Sequence, residues 1–308
     1  MGIKLLRRRI ASIVDRVDGR MGVAILDVTT GEEIGISSED LFPMASACKT
    51  PILVAAYRYV DAGRLALDKR IEITRNMRVA GSGLLNFFEE GLRPTLRDLM
   101  LLMIVVSDNA ATDLVLSAVN GPSSVTAEMV SLGLNHIRLN RTIYQLLNDI
   151  HVAIDPVALG MDYHQFQNLL DENEEAAERF RDSERATAAV ARATSGLDVA
   201  SPRDMARLYG QIAKGECAGT ESCDAILKTL ERQQLRGRLP RNLPPNTRCC
   251  HKTGTLGNGN VCNDTGLIYA GERPIAIAVL SKDVNQDMAN TNTAIARIGR
   301  LVYDHYSA

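Results

Sequence analysis

Strand-like segments occur near both ends of this 308-residue chain, and a long helical section separates them. Near the amino end, residues 21–37 alternate in strand fashion around a Thr-Thr-Gly turn, which predicts a β-hairpin. Near the carboxyl end, residues 249–282 contain β-rich runs, and a final helix is predicted over 289–306. The simplest fold class is therefore α/β (α+β): an antiparallel sheet built from both termini and flanked by helices, with an inserted all-helical lobe.

This order of segments predicts two lobes. Residues 1–45 and 199–308 form an α/β lobe, and residues 46–198 form a helical lobe. Within the helical lobe, about 149–197 is an extended loop insertion whose charged, Ala- and Glu-rich part predicts a surface helix or a helical pair. We expect the functional site in a cleft between the lobes.

Composition argues against several classes of partner. The chain has 35 basic and 37 acidic residues and only 4% aromatic residues, which disfavours nucleic-acid binding. No run is long and apolar enough to span a bilayer. The arginines at 7–9 interrupt the apolar stretch that a secretory signal needs, so residues 3–17 predict an amphipathic helix. We expect a cytoplasmic protein; an exported form that has been trimmed is the alternative.

The six cysteines predict neither a metal site nor a disulfide framework. They form no C-x-x-C pair, and no histidines accompany them at zinc-ligand spacing. We therefore expect reduced thiols, no metal and no cofactor.

A hydroxyl and an amine lie three residues apart at the start of a strong predicted helix, at Ser46 and Lys49. Residues at this spacing share a helix face, so the amine can reach the hydroxyl. A lysine acts as a base only if its pKa falls, which burial and a second cation both promote. Alone, the pattern recurs by chance in many helices, where the serine is an N-cap and the lysine is solvated.

Two further motifs follow in order: Ser-Asp-Asn at 107–109, which interrupts a helical run, and Lys-Thr-Gly-Thr at 252–255, after a short strand. The sequence S-x-x-K, S-D-N, K-T-G resembles that of the class A β-lactamases and penicillin-binding proteins. An Asn-Asp pair at 263–264 and the order of predicted elements extend this resemblance over nearly the whole chain.

The resemblance implies a serine hydrolase that cleaves an amide or β-lactam bond through an acyl-enzyme on Ser46. Its substrate would be a small amide, lactam or peptide. The implied catalytic residues are Ser46, Lys49, Ser107 and Lys252. The implied substrate-binding residues are Asn109, Thr253, Gly254 and Thr255. The backbone N–H groups of Ser46 and Thr255 would form the oxyanion hole, and a side chain at Gly254 would obstruct a substrate laid along the strand.

One family feature is missing. Class A enzymes carry a Glu that activates the deacylating water, but counting back from Asn148 puts Tyr144 in its place, and counting forward from Arg141 puts Ile143 there. Tyr144 is thus a candidate for a deacylation role. The other candidates are Asp149, His151 and Asp155. Without that Glu, the alternatives are a peptidase, esterase or biosynthetic amidase with little β-lactam turnover, or a penicillin-binding protein that stays acylated.

Two ionic features complete the expectations. The resemblance also implies a clasp between Arg141 and Asp198, located by its D-x-x-x-P spacing, that closes the loop containing the insertion. A basic residue is expected behind Thr253 to meet a substrate carboxylate, and the sequence does not choose among Arg236, Arg238 and Arg241. The oligomeric state is not predicted.

Overall fold

The computed structural model describes residues 2–307 and contains a five-stranded antiparallel sheet. The strands, in chain order, are β1 (Arg20–Asp27), β2 (Glu33–Ile36), β3 (Phe42–Pro43), β4 (Val199–Ala200), β5 (Cys249–Leu256), β6 (Val261–Ala270) and β7 (Arg273–Lys282). The order in the main sheet is β2-β1-β7-β6-β5, and β3 pairs with β4 separately. The sheet therefore combines strands from both ends of the chain, which confirms the predicted fold class.

Helices make up most of the remaining described chain. They are α1 (Ile3–Val14), α2 (Lys49–Asp61), α3 (Leu96–Val105), α4 (Asn109–Ala118), α5 (Pro122–Ser131), α6 (Ile143–Ile154), α7 (Tyr163–Glu172), α8 (Glu174–Arg181), α9 (Ser183–Ala193), α10 (Pro202–Lys214), α11 (Thr220–Glu231) and α12 (Met288–Tyr306). Short 3-10 turns lie between them, including Ala45–Cys48. Among the described residues, no helix is long and apolar enough to cross a membrane.

Both faces of the sheet are covered, so the central strands have no solvated face. On β7, Ile275, Ile277 and Val279 belong to the apolar cluster formed with α1 and α12. The alternate residues Ala276 and Ala278 face the larger cluster that includes α2, α3, α4 and α10. This alternation is expected, because successive side chains of a pleated strand point to opposite faces of the sheet. The small side chains of Ala276 and Ala278 are the ones that pack against the helical section.

The first helix forms as its sequence pattern predicts. Leu6, Ile10 and Ile13 are buried on one face of α1, at helical spacing, and α1 packs against α12 at the far side of the sheet. The hairpin β1–β2 and the final helix α12 are likewise found where the sequence predicts them.

The insertion folds into three helices, α7, α8 and α9, rather than one helix or a pair. Asn173 and Asp182 explain the breaks: each has extended backbone, and its side chain accepts hydrogen bonds from the first turn of the helix that follows. Helix α9 packs against α6, where Val190, Leu146 and Ile150 share a small apolar cluster. The division of the chain into two lobes at the predicted boundaries stays a prediction.

The predicted clasp between Arg141 and Asp198 is confirmed. The Nε of Arg141 donates to Asp198 Oδ2 at 2.8 Å, and the backbone N–H groups of Asn140 and Arg141 donate to Asp198 Oδ1. The guanidinium also donates to Ala193 O at the end of α9. Because the Asp198 carbonyl accepts from Met44 N at 2.9 Å, the clasp fixes the ends of the insertion next to the turn that carries Ser46.

Candidate active site

Ser46 lies in a 3-10 turn between β3 and α2, not within the helix itself. It is half-buried, whereas its neighbours Ala45 and Ala47 are buried. Ala45 has a φ of +48°, a left-handed conformation that costs free energy in a residue with a side chain. The strained turn therefore presents Ser46 at the surface of a cleft and brings Lys49, the first residue of α2, onto the side facing the interior.

Lys49 is fully buried and points at the Ser-Asp-Asn turn. Its Nζ donates to Ser107 O at 2.7 Å, to Ser107 Oγ at 3.1 Å and to Asn109 Oδ1 at 2.8 Å. Burial lowers the pKa of Lys49 to about 8, against a smaller opposing effect from nearby acidic groups. A neutral amine, which can accept a proton, is therefore accessible near physiological pH.

Lys252 reaches the same serine from β5. Its Nζ donates to Ser107 Oγ at 3.1 Å and to Thr253 O at 2.9 Å, and the side chain is fully buried. Burial, and then the charge of Lys49, lower the pKa of Lys252 well below its usual value. Since Ser107 Oγ accepts from both amines, its two lone pairs are used and its own proton is available to donate into the cleft.

The loop at residues 82–85 holds the Ser-Asp-Asn turn in this position. Ser107 has a φ of +60°, again in the left-handed region. Asp108 caps α4 by accepting from Ala111 N, and it also accepts from Leu84 N at 2.6 Å. A Cβ on Gly83 would lie 2.5 Å from the Asp108 carboxylate, so this loop can approach only because Gly83 has no side chain.

Gly254 is needed for close packing of the backbone, and its expected role in leaving room for a substrate stays a prediction. A Cβ there would lie 2.7 Å from Met44 O and 2.9 Å from Ala47 N, and it would therefore strike the turn that carries Ser46. Gly254 thus allows β5 to pack directly against that turn. The neighbouring residues Thr253 and Thr255 line the cleft, and their substrate-binding role stays a prediction.

Asn263 anchors the same turn, a role that sequence reasoning did not assign. Its Nδ2 donates to Pro43 O at 2.8 Å and to Met44 O at 2.9 Å, and its Oδ1 accepts from Ser281 N. The side chain is fully buried on β6, opposite Gly254 in register. The amide thus ties β6 to two successive carbonyls of the strained turn, of which Met44 O also accepts from Ala47 N at 3.1 Å.

Among the three basic residues left open by the sequence, Arg238 lies against the Lys-Thr-Gly strand. It donates to Gly254 O at 2.8 Å and to Thr255 Oγ1 at 2.6 Å, and it is only 6% exposed. Arg236 is exposed, and Arg241 donates to Thr293 away from this strand. Position therefore favours Arg238 as the cation behind Thr255.

The cleft beside Ser46 encloses about 800 Å³, including its open mouth. Opposite the lysine pair, its wall is apolar and comes mainly from α6 and the β5–β6 turn. The apolar residues of this wall are Ile143, Leu146, Leu147 and Leu256. None of the described residues that line the cleft carries a carboxylate. Asp113 instead lies behind the wall, where it accepts from Ile143 N at 2.7 Å and Tyr144 N at 2.9 Å.

The structure does not bring Tyr144 into this cleft with the other predicted residues. The Tyr144 hydroxyl donates to Met161 O at 3.0 Å, and its ring lines a neighbouring recess. Its deacylation role stays a prediction, and its position does not favour that role.

The other candidates are also engaged elsewhere. Asp149 pairs with Arg141, Asp155 pairs with Arg179, and His151 stacks on Phe166. Within residues 2–307, no group of three or more His, Cys, Asp or Glu side chains is placed to hold a metal ion.

Ser46 is partly exposed in the cleft, and the buried side chains of Lys49 and Lys252 both donate to the second serine, Ser107. This is the arrangement of an acyl-transfer hydrolase. Comparison with known proteins agrees: the family model described as the β-lactamase enzyme family matches residues 5–306. The chain therefore belongs to the β-lactamase enzyme family, and it is a hydrolase of the serine β-lactamase fold.

Individual relatives resemble the chain over almost its full length. Beta-lactamase VEB-1 of Pseudomonas aeruginosa is 25% identical over 98% of this chain and 90% of its own. The crystal structure of a β-lactamase from Sphaerobacter thermophilus DSM 20745 has a TM-score of 0.76 at 27% identity, covering 99% of this chain and 98% of that chain. An ancestral class A β-lactamase has a TM-score of 0.78 at 27% identity, covering 97% and 99%. These matches confirm the predicted resemblance.

Proposed function

We propose that this protein cleaves a C–N bond of a β-lactam or related amide through an acyl-enzyme on Ser46. The observation that carries the proposal is the contact of Ser107 Oγ with both Lys49 and Lys252, at 3.1 Å each, beside a half-exposed Ser46. This arrangement supplies a proton acceptor and a proton donor on one side of the cleft.

Acylation follows from these positions. Neutral Lys49 takes the Ser46 proton as Ser46 Oγ bonds to the carbonyl carbon. When the C–N bond breaks, Ser107 gives its proton to the leaving nitrogen and regains one from the lysine pair. The pKa of Lys49, lowered by burial to about 8, makes the amine an effective base near neutral pH.

Charge that develops on the carbonyl oxygen would be stabilised by the backbone N–H groups of Ser46 and Thr255. The close packing of Gly254 against the Ser46 turn supports this pairing, because it brings the two backbones side by side. A substrate carboxylate would bind at Thr253 and Thr255, next to the Arg238 guanidinium.

Deacylation has to proceed without a carboxylate on the cleft wall. Water can still attack the ester, with Lys49 as the proton acceptor, but the apolar residues of α6 offer it no hydrogen bond. We therefore expect hydrolysis of the acyl-enzyme to be slower than its formation. The relatives favour a β-lactamase over a peptidase, an esterase or a protein that stays acylated.

Labelling with a fluorescent penicillin tests the nucleophile. Wild-type protein should gain one covalent adduct, and Ser46→Ala should gain none. Ser12→Ala is the matched control, because Ser12 is exposed on α1 and should label like the wild type. Equal labelling of the wild type and Ser46→Ala would sink the assignment.

A further inference from the structure

A second, narrower recess lies beside the active-site cleft, between α6 and the inserted helix α7. We call it the side slot and define it by Ala80, Tyr144, Leu147, His151, Ala158 and Phe166, which line it. The slot encloses about 330 Å³, including its open mouth. It exists because the insertion packs two pieces against α6: the 3-10 turn Pro156–Ala158, and α7 through the ring of Phe166.

Flat rings build one side of the slot. The His151 ring stacks on Phe166 with centroids 4.1 Å apart and an interplanar angle of 8°, and Phe180 meets both rings edge-on. Burial lowers the pKa of His151 to about 4, so the imidazole is neutral at neutral pH. The Asp162 carboxylate also lines the slot and disfavours an anionic ligand. The neutral stacked rings therefore suit an uncharged, planar group, which can extend the stack.

The slot adjoins the cleft on the side of Asn109. Leu147 lines both spaces, and Asn109 Nδ2 donates to Ala80 O at 2.8 Å. That Nδ2 carries a second N–H, which can donate to a carbonyl in the acyl part of a substrate. A substrate held at Asn109 in this way would direct the substituent beyond its carbonyl along Ala80 and Leu147, toward the slot.

The slot is narrow while a hydrogen bond between Tyr144 and Met161, which we call the latch, is in place. The centre of a water molecule can reach only about 20 Å³ of it, and Tyr144 crosses to Met161, to whose carbonyl its hydroxyl donates at 3.0 Å. Tyr144 is 38% exposed, so its ring can swing outward into solvent. An entering ring has to break this single hydrogen bond, whose net contribution is small.

We propose that the side slot binds the aryl end of the substrate's acyl group, as in an arylacetamido substituent, and thereby makes the insertion a determinant of specificity. This proposal rests on the proposed function, since the acyl group is the part carried by Ser46. It predicts that substrates differing only by a terminal phenyl ring differ in acylation rate.

Two penicillins test this preference directly. Penicillin G, with a phenylacetamido group, and 6-acetamidopenicillanic acid differ only by the phenyl ring, and acylation is followed by time-resolved intact mass. We expect wild-type protein to react about 10-fold faster, per unit concentration, with penicillin G. Ala158→Leu, which fills the slot, should slow only penicillin G and bring the ratio to about 1.

Two further variants keep the test sharp. Asn168→Leu is the matched control, because Asn168 is exposed on α7 and the ratio should stay at the wild-type value. Tyr144→Phe removes the latch without removing the ring, and we expect it to raise the ratio by about 2-fold. Melting curves identify any variant that fails to fold. If Ala158→Leu or Tyr144→Phe does not fold, the ratio measured with the other variant tests the proposal.

The outcomes separate the two proposals. If both penicillins acylate Ser46 at equal rates, and neither variant changes the ratio, the slot does not bind the acyl group while the proposed function stands. If neither penicillin forms an adduct on Ser46, the proposed function fails and the slot proposal falls with it.

Discussion

The two sides of the active-site cleft are built in opposite ways. On one side, Lys49, Lys252 and Ser107 are buried, and each makes at least two hydrogen bonds. On the other side, Ile143 and Leu146 of α6 present only hydrocarbon. In the proposed mechanism, the polar side therefore holds every group needed to form the acyl-enzyme. The apolar side, from which a water would be activated, carries no base among its described lining residues.

Removing the base from the polar side should have the largest effect. Lys49→Met keeps the volume of a buried side chain, and we expect it to lower the acylation rate about 1000-fold, because Ser46 loses its proton acceptor. Single-turnover labelling measures this rate. Lys228→Met, on the exposed face of α11, is the control, and a loss below about 10-fold in Lys49→Met would rule out Lys49 as the base.

Adding a base to the apolar side should speed the second half of the reaction. Ile143 is the first residue of α6, where the helix N-terminus favours a carboxylate. We expect Ile143→Glu to raise the deacylation rate about 100-fold, measured as the decay of the isolated adduct. Ile143→Gln has the same size without the base; if the two variants decay alike, the missing carboxylate is not what limits deacylation.

The polar side also predicts the pH dependence of acylation. The pKa of Lys49 is lowered to about 8, and only the neutral amine accepts a proton. Between about pH 6 and pH 7 the acylation rate should therefore rise about 10-fold, and it should level off above about pH 8. Stopped-flow labelling across this range measures the profile. A flat profile below about pH 7 would show that neutral Lys49 is not required.

The smallest effect is expected at Tyr144, which the sequence offered as a replacement for the missing Glu. Its hydroxyl bonds to Met161 O and faces the side slot, not the ester. Tyr144→Phe should therefore change the deacylation rate of the acetamido adduct by less than about 3-fold. A loss of about 100-fold would restore Tyr144 as the deacylating residue.

Most residues of the polar side of the cleft could be predicted, because three sequence motifs contain them and occur in the order typical of the family. The order of the motifs identified Ser46 with Lys49, then Ser107, then Lys252. In the structure both lysines contact Ser107, and Ser46 lines the same cleft as Ser107. The pairing of strands from both termini followed from their alternating patterns, and the pair of Arg141 with Asp198 followed from the family resemblance.

What the sequence could not supply is backbone geometry and long-range contact. Ala45 and Ser107 adopt left-handed conformations without being glycines, and no local pattern announces this. Asn263 binds carbonyls about 220 residues away in sequence, a pairing that only the assembled sheet creates. Arg238 was one of three equivalent arginines until its contact with Thr255 distinguished it.

A pre-steady-state assay with nitrocefin tests the comparison most directly. If the acylation side is complete and the α6 wall lacks a base, each enzyme molecule should release about one equivalent of product in a fast burst. A slower steady phase should follow, with the adduct mass on the peptide that contains Ser46. A linear time course without a burst, and no detectable adduct on that peptide, would contradict the account.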